Sequence, residues 1–206
     1  MSRNEKFIKT YMAQARDIIS RFPVEKIDEV IEILFEAYEK NKQVFFMGNG
    51  GSASNAQHFA ADLSKTTVMK TGDSVLDAGR FRAYSLCDNP ALVSAWTNDL
   101  GFDSIFRGQL ENVLNKGDVV IGLSVHGGGK FSSNLGEAYI YAKSVGAKTI
   151  GFSGFDGGSM NQLCDVNIIV PANSTPHTES LHSVLQHMII FCLKEKIANN
   201  GEAKSK

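Results

Sequence analysis

Five short apolar segments alternate with segments of helical periodicity, and this alternation constrains the fold more than any other feature. The apolar segments are residues 44–47, 81–86, 119–123, 149–152 and 166–170. Short apolar strands separated by helices form a parallel sheet whose two faces the helices cover. We therefore predict an α/β fold with a five-stranded parallel sheet flanked by helices on both faces, a flavodoxin-like sandwich.

Two amphipathic segments precede the first predicted strand and lie outside this alternation. Residues 5–20 and 27–37 carry apolar side chains at helical spacing, and Pro23 separates them. We predict an N-terminal helical hairpin over residues 1–41 that contacts another subunit; packing on the chain's own sheet is the alternative. Residues 42–198 would form the α/β core and residues 199–206 a polar tail. The chain shows no linker or internal repeat, so we predict a single domain.

Small and polar residues follow four of the five predicted strands. The loops are residues 48–52, 87–89, 124–130 and 153–158, and all are rich in Gly, Ser, Asn or Asp. Ligands of parallel α/β sheets bind beyond the carboxyl ends of the strands. We therefore expect these loops to converge on one edge of the sheet and to form a ligand site there.

The loop over residues 48–52 reads GNGGS and leads into a predicted helix. Such a turn lets backbone N–H groups approach an anion, and the helix N-terminus adds a favourable dipole. The loop has neither the lysine of a nucleotide P-loop nor the spacing of a dinucleotide fingerprint. An ordinary tight turn is an equally good interpretation of this loop alone.

The loop over residues 124–130 reads SVHGGGK and is the second glycine-rich turn between a strand and a helix. Three consecutive glycines would leave backbone N–H groups bare, and Lys130 and His126 could supply charge to an anion. The alternative is a flexible loop with a solvated lysine. Two such loops without a nucleotide motif favour a small phosphorylated ligand.

Imidazole and carboxylate groups recur on two predicted helices. His58 and Asp62 are four residues apart and share a helix face, as do Glu179 and His182 on the last helix. His187 lies just over two turns beyond Glu179, roughly on the same side. If the two helices cross, these groups could bind a divalent metal such as zinc or move protons. A single helical histidine is more often structural.

Composition excludes several classes of partner. The chain has 206 residues with 21 basic and 22 acidic side chains, so its net charge of −1 gives no reason to expect nucleic acid or an anionic membrane as a partner. No apolar run is long enough to span a membrane, and the N-terminal segment has no signal-peptide core. Three widely spaced cysteines form no metal motif, and we predict a cytoplasmic protein.

The run GNGGSASNAQHFAADL resembles the signature of the phosphoheptose isomerase family of sugar-isomerase (SIS) domains. The resemblance continues through WTNDLGFDSIF, GDVVIGLS, GFDGG and the closing helix with its histidines. It implies a single SIS domain that isomerises sedoheptulose 7-phosphate to D-glycero-D-manno-heptose 7-phosphate, for heptose-containing surface glycans such as lipopolysaccharide. It also implies a homotetramer with active sites between subunits and a bound zinc ion.

The resemblance also implies roles for individual residues. Asp62 and His187 would be the acid–base pair that moves a proton between C1 and C2 of the sugar. The metal ligands would be His58, Asp62, Glu179 and His187. The substrate-binding residues carried over by position, together with those of the second glycine loop, are Asn49, Gly50, Gly51, Ser52, Asn98, Asp99, Ser124, His126, Lys130 and Glu179.

Two positions and one loop depart from the family pattern. Asp62 stands in place of a glutamate, Glu179 in place of a glutamine, and residues 124–129 in place of the hydroxyl-rich phosphate loop Ser-Thr-Ser-Gly-Asn-Ser. These departures leave two alternatives to the heptose phosphate isomerase. One is an isomerase for a different phosphosugar, and the other is a non-catalytic tetrameric SIS adaptor or sugar-phosphate sensor.

Overall fold

The computed structural model describes residues 1–68, 70–71, 74–75 and 79–204. The helices are α1 (Arg3–Ile19), α2 (Val24–Glu39), α3 (Gly51–Lys65), α4 (Pro90–Leu100), α5 (Arg107–Val113), α6 (Ser133–Val145), α7 (Met160–Leu163) and α8 (Thr175–Lys204). The strands are β1 (Gln43–Gly48), β2 (Lys70–Thr71), β3 (Ser74–Val75), β4 (Arg82–Ser85), β5 (Val119–Leu123), β6 (Lys148–Ser153) and β7 (Val166–Ile169). Across the described ranges, no helix has the length and apolar character that a membrane span needs.

Five strands form one parallel sheet in the order β4-β1-β5-β6-β7, which confirms the predicted sheet. The chain runs outward from β1 to β4 and then returns across β1 to begin β5. The strand order therefore reverses between β1 and β5, whose carboxyl ends border the crevice in which doubly wound sheets bind ligands.

Alternate side chains of the strands point to opposite faces of the sheet, and both faces are covered. Phe46 and Ile121 belong to the core beneath α2, α3 and α8, whereas Phe45 and Val120 belong to the core beneath α5 and α6. All of these side chains are buried. The predicted placement of helices on both faces is confirmed.

The two helices of the N-terminal hairpin differ in burial. Helix α2 buries five side chains against the sheet and α8, at Ile27, Val30, Ile31, Leu34 and Ala37. Helix α1 buries only Ile18, and its apolar residues Phe7 and Met12 are 70% and 65% exposed. Packing on the chain's own sheet therefore accounts for α2, and the predicted subunit contact stays a prediction for α1.

Three segments differ from the sequence prediction. The segment NDLGF at residues 98–102 predicts a turn, but α4 continues through Leu100 and ends at Gly101, whose φ of +86° suits a glycine. The polar, glycine-containing segment over residues 66–79 predicts a surface loop, but the structure places the short antiparallel pair β2–β3 in it; residues 69, 72–73 and 76–78 of this segment lie outside the described residues.

The C-terminal helix is also longer than the sequence pattern indicates. Helix α8 runs to Lys204, although residues 199–206 were predicted to be a polar tail. The side chain of Asn200 donates a hydrogen bond of 3.0 Å to Glu39 at the end of α2. This contact ties the last turns of α8 to the body of the protein, and no proline interrupts the helix there.

Candidate active site

Helices α3 and α8 bring an imidazole from each helix to a shared carboxylate. His58 and Asp62 lie one turn apart on α3, and His187 comes from α8. The Asp62 Oδ2 atom lies 3.2 Å from His58 Nε2 and 3.4 Å from His187 Nε2. The two helices therefore cross at these residues, which is the condition for a shared site.

The donor set at this group fits a divalent metal ion. The ligand atoms of His58, Asp62 and His187 all lie within 4.8 Å of one another. Both imidazole side chains are 48% exposed and the Asp62 side chain is 22% exposed, so the group is open to solvent on one side. Catalytic zinc sites commonly use three protein ligands of these types and keep one position open for substrate.

Hydrogen bonds between α3 and α8 fix this group in place. Asn55 Nδ2 donates to the backbone oxygen of Glu179 at 2.9 Å, and Ser183 Oγ donates to Asn55 Oδ1 at 2.8 Å. The buried side chain of Gln186 lies 3.5 Å from Asp62 Oδ2. Sequence reasoning missed Asn55, Ser183 and Gln186, although a glutamine among the apolar positions of a helix is itself a signal.

Glu179 was expected to bind the same metal, and within this chain the structure does not bring it there. Glu179 and His187 are eight residues apart, which corresponds to about 12 Å along a helix. The Glu179 carboxylate instead lies against the start of α3, so close that a Cβ on Gly51 would be 1.3 Å from its Oε1 atom. A shared helix face does not bring two side chains together when two turns separate them.

Most of the predicted substrate-binding side chains surround a small cavity at the carboxyl ends of β1 and β5. The cavity has a volume of about 140 Å³ and lies where the strand order reverses. Its polar lining comes from Asn49, Ser52, Ser124, His126, Ser132 and Glu179. The predicted convergence of the loops after these strands is therefore observed.

A reciprocal amide pair closes one side of this cavity. Asn49 Nδ2 donates to Asn134 Oδ1 at 2.9 Å, and Asn134 Nδ2 donates to Asn49 Oδ1 at 3.0 Å. Asn49 Nδ2 also lies 3.3 Å from Ser132 Oγ. Sequence reasoning missed Ser132 and Asn134, although serine and asparagine at the start of a predicted helix are typical N-terminal capping residues.

The glycines of residues 127–129 serve a different purpose from the one predicted. The N–H groups of Gly127 and Gly128 are not bare, because they donate to the backbone oxygen and the hydroxyl of Ser124 at 3.1 and 3.2 Å. Gly127 has a φ of +68°, and a Cβ on it would lie 2.0 Å from the oxygen of Gly157. Gly127 therefore lets this loop pack backbone to backbone against the loop after β6.

His126 and Lys130 of the same loop have separate locations. His126 lines the cavity, and its ring packs against Phe155 with a centroid distance of 4.3 Å. Lys130 is exposed in a short 3₁₀ helix (Gly129–Phe131) and is not part of the cavity lining. The predicted phosphate contact of Lys130 therefore has no support from its position.

Other predicted residues lie outside the two groups. Asn98 and Asp99 are exposed in the last turn of α4 and hydrogen-bond to each other at 2.8 Å. They neither line the cavity nor join the His58, Asp62 and His187 group. Gly50 precedes α3 with a φ of +56°, a conformation that glycine adopts without strain.

His182, whose role the sequence left open, is a core residue. Its side chain is fully buried, and Nε2 lies 3.2 Å from the backbone oxygen of Ser153. Burial lowers the pKa of His182 to about 4, because the charged imidazolium would lose its hydration, and the bond to Ser153 offsets this only in part. The imidazole is therefore neutral near pH 7.

Comparison with known proteins places the chain in a family. The family model described as the SIS domain matches residues 10–154. A phosphoheptose isomerase of Syntrophotalea carbinolica is 36% identical over 193 residues, which are 92% of this chain and 93% of that protein. The chain belongs to the phosphoheptose isomerase family. A family member from Helicobacter pylori strain P12 is 37% identical over 86% of this chain and 87% of its own length.

Solved structures agree with this assignment. The phosphoheptose isomerase of Neisseria gonorrhoeae superimposes with a TM-score of 0.80 at 26% identity, over 93% of this chain and 98% of that one. The structure from Francisella tularensis has the same TM-score at 22% identity, which shows the shared fold.

In this member of the phosphoheptose isomerase family, the cavity and the His58, Asp62 and His187 group lie at different positions along α3. Ser52 lines the cavity, whereas His58 lies six residues further on, or about 9 Å along the helix. The cavity lining and the His58, Asp62 and His187 group both contain residues that the sequence assigns to one active site.

Proposed function

We propose that the protein is a phosphosugar isomerase that interconverts sedoheptulose 7-phosphate and D-glycero-D-manno-heptose 7-phosphate. The observation that carries this proposal is the meeting of His58, Asp62 and His187 within 4.8 Å in a member of this family. Aldose–ketose isomerisation moves a proton between two adjacent carbon atoms. It needs a base to remove the proton and an acid to return it.

Asp62 and His187 are the proposed acid–base pair. Starting from the ketose, one of them removes a proton from C1 while the oxygen on C2 gains a proton, which gives an enediol. Returning a proton to C2 and removing one from the oxygen on C1 then yields the aldose. The 3.4 Å separation of Asp62 Oδ2 and His187 Nε2 lets the two side chains share these protons.

Zinc is the metal that this donor set suits best. Two imidazoles and one carboxylate are common ligands of catalytic zinc, and His58, Asp62 and His187 would hold the ion. A bound zinc ion would polarise the sugar oxygens at C1 and C2. Glu179 is left out of this ligand set, because its carboxylate lies against Gly51.

The cavity after β1 and β5 is the proposed binding site for the remainder of the substrate. The N-termini of α3 and α6 border it through Ser52 and Ser132, and a helix N-terminus favours a phosphate group. Glu179 would accept hydrogen bonds from sugar hydroxyls rather than face the phosphate, since two anions in a small cavity repel each other.

A homotetramer with active sites between subunits is the proposed assembly. The apolar residues Phe7, Ile8 and Met12 on α1 are 70%, 55% and 65% exposed, and a second copy of the chain would cover them. Light scattering on the purified protein measures this state directly. A monomer at micromolar concentration would contradict the proposed assembly.

A cytoplasmic location is part of the same proposal. The three cysteines, Cys87, Cys164 and Cys192, are all unpaired, which fits a reducing compartment.

The test is an NMR assay of the zinc-loaded protein with a panel of ketose phosphates. We expect sedoheptulose 7-phosphate to be isomerised fastest and Asp62→Asn to lower kcat by about 10²- to 10⁴-fold, the usual contribution of a general acid or base. Asp17→Asn is the matched control, because Asp17 forms only an exposed ion pair with Arg21.

Two results would contradict the assignment. Wild-type kcat in Asp62→Asn would exclude Asp62 as a catalytic residue. Turnover of another ketose phosphate with no turnover of sedoheptulose 7-phosphate would keep the reaction class but replace the substrate.

A further inference from the structure

A second cavity lies at the opposite edge of the sheet from the candidate active site, and four lysines surround it. Its volume is about 470 Å³, and it is located where β1, β5 and β6 begin, beside the end of α2. The lysines are Lys40, Lys42, Lys116 and Lys148. None of these residues belongs to the proposed isomerase site.

Two lysine side chains pack over glycines at the rim of this cavity. Gly117 and Gly146 have φ values of +84° and +83°. Because they have no side chain, the lysine stems can lie against their backbone. A Cβ on Gly117 would lie 3.1 Å from Lys42 Cε, and one on Gly146 would lie 3.3 Å from Lys116 Cγ. The Lys42 ammonium also donates to the backbone oxygen of Lys116 at 2.9 Å.

The positive charge around this cavity is only partly balanced. Among the described residues that line the cavity, Glu36 is the single acidic one, and it already pairs with Lys40. The hydrogen bond and charge of Lys40 lower the pKa of the Glu36 carboxyl, with a smaller effect from Lys148. Among the residues that the structure describes, Lys42, Lys116 and Lys148 have no carboxylate within 4 Å.

One of these lysines directly follows a helix, and two lie at strand starts. Lys40 follows the end of α2, where a cation is favourable next to the partial negative charge of the helix C-terminus. Lys42 and Lys148 lie at the starts of strands, and strands have only small net dipoles.

The interior of the cavity is apolar. Ile33, Ala37 and Val119 line it between the lysines. Ligand pockets are typically of about 300–1,000 Å³ and combine an apolar lining with a few charged groups that fix the ligand's orientation. An apolar floor with a cationic rim fits a ligand that joins a flat or apolar body to several negative charges.

We propose that this cavity binds an organic polyphosphate of the nucleoside diphosphate type. The phosphates would contact Lys42, Lys116 and Lys148, whose ammonium groups are donors for phosphate oxygens. The nucleoside would lie over Ile33, Ala37 and Val119. Binding would occur away from the isomerase site and independently of its chemistry.

The test is calorimetric titration of the zinc-loaded, full-length protein with ADP and, separately, with pyrophosphate at the same ionic strength. We expect saturable binding of ADP at one site per chain and at least tenfold weaker binding of pyrophosphate, which lacks the nucleoside. The double variant Lys116→Glu/Lys148→Glu should weaken ADP binding at least tenfold while its isomerase activity stays unchanged.

Lys26→Glu is the matched control, because Lys26 is exposed on α2 and does not line the cavity. It should bind ADP as the wild type does. Equal affinities for ADP and pyrophosphate, or unchanged ADP affinity in the double variant, would overturn the proposal. Displacement of ADP by sedoheptulose 7-phosphate would also overturn it, because ADP would then occupy the isomerase site.

Discussion

The two groups of residues at the candidate active site are built from different parts of the fold. His58, Asp62 and His187 project from two long helices, and their positions follow from helical spacing and one crossing. The cavity around Ser124 takes most of its lining from loops whose backbones hydrogen-bond and pack against one another, with Ser52 and Glu179 added from α3 and α8. The helix-borne group, His58, Asp62 and His187, should therefore tolerate changes in the loops, whereas the cavity depends on the exact path of the loop backbone.

The largest expected effect concerns the helix-borne group. His58→Ala removes one of three ligands, so we expect zinc content to fall from about one ion per chain to less than about one tenth, since catalytic zinc sites rely on three protein ligands. Atomic absorption after dialysis measures this content. His126→Ala, which alters only the cavity, should retain its zinc, and equal zinc loss in both variants would contradict the separation of the two groups.

The next effect concerns the loop backbone. Gly127→Ala should lower the free energy of unfolding by about 3 kcal/mol, because a positive φ and a close backbone contact are both disturbed. Gly129→Ala is the control: its φ is +79°, but no atom lies within 4 Å of the added Cβ, so about 1 kcal/mol is expected. Urea unfolding measures both values, and equal losses would show that the contact with Gly157 is unimportant.

The buried His182 of α8 makes the stability of the protein depend on pH. The pKa of His182 is about 4 in the folded protein and near 6.5 when unfolded, so the unfolded state binds more protons between these values. Stability should therefore be fully present above pH 6.5 and fall as pH decreases, by about 2 kcal/mol at pH 4.5.

Urea unfolding of the wild type and of His182→Gln at pH 7 and pH 4.5 isolates this contribution. The variant should lose about 2 kcal/mol less on acidification than the wild type does. An identical loss in both proteins would mean that His182 is protonated in the folded state.

The placement of Glu179 can be tested through Gly51. Gly51→Ala should displace the Glu179 carboxylate and raise the KM for the substrate roughly tenfold, because a displaced contact group misorients the bound sugar. Gly136→Ala on α6 is the control, since its nearest atom would lie 3.7 Å away. An unchanged KM for Gly51→Ala would show that Glu179 does not contact the substrate.

The smallest effect is expected at Lys130. Because this side chain is exposed and outside the cavity lining, Lys130→Ala should change KM by less than about twofold, within the range of a surface charge. Steady-state kinetics at two salt concentrations measures this change. A tenfold increase in KM would instead support the predicted contact between Lys130 and the phosphate.

The sequence predicted the fold and the helix-borne group more accurately than the cavity. Apolar runs located each strand of the parallel sheet, and the i, i+4 spacing of His58 and Asp62 located half of their group. Periodicity indicates a shared helix face but does not bring Glu179 to His187 within one chain, because eight residues already correspond to about 12 Å along a helix. It also could not show that Gly127 and Gly128 use their N–H groups within the loop.

The amide pair of Asn49 and Asn134 has a consequence for how the cavity receives its ligand. Two hydrogen bonds of 2.9 and 3.0 Å connect the loop before α3 to the first turn of α6, so the two sides of the cavity are held at a fixed spacing. A ligand that enters has little backbone to order, and the conformational entropy lost on binding is correspondingly small. The affinity for the sugar phosphate then depends on the contacts themselves, and neighbouring loops need not close over the ligand.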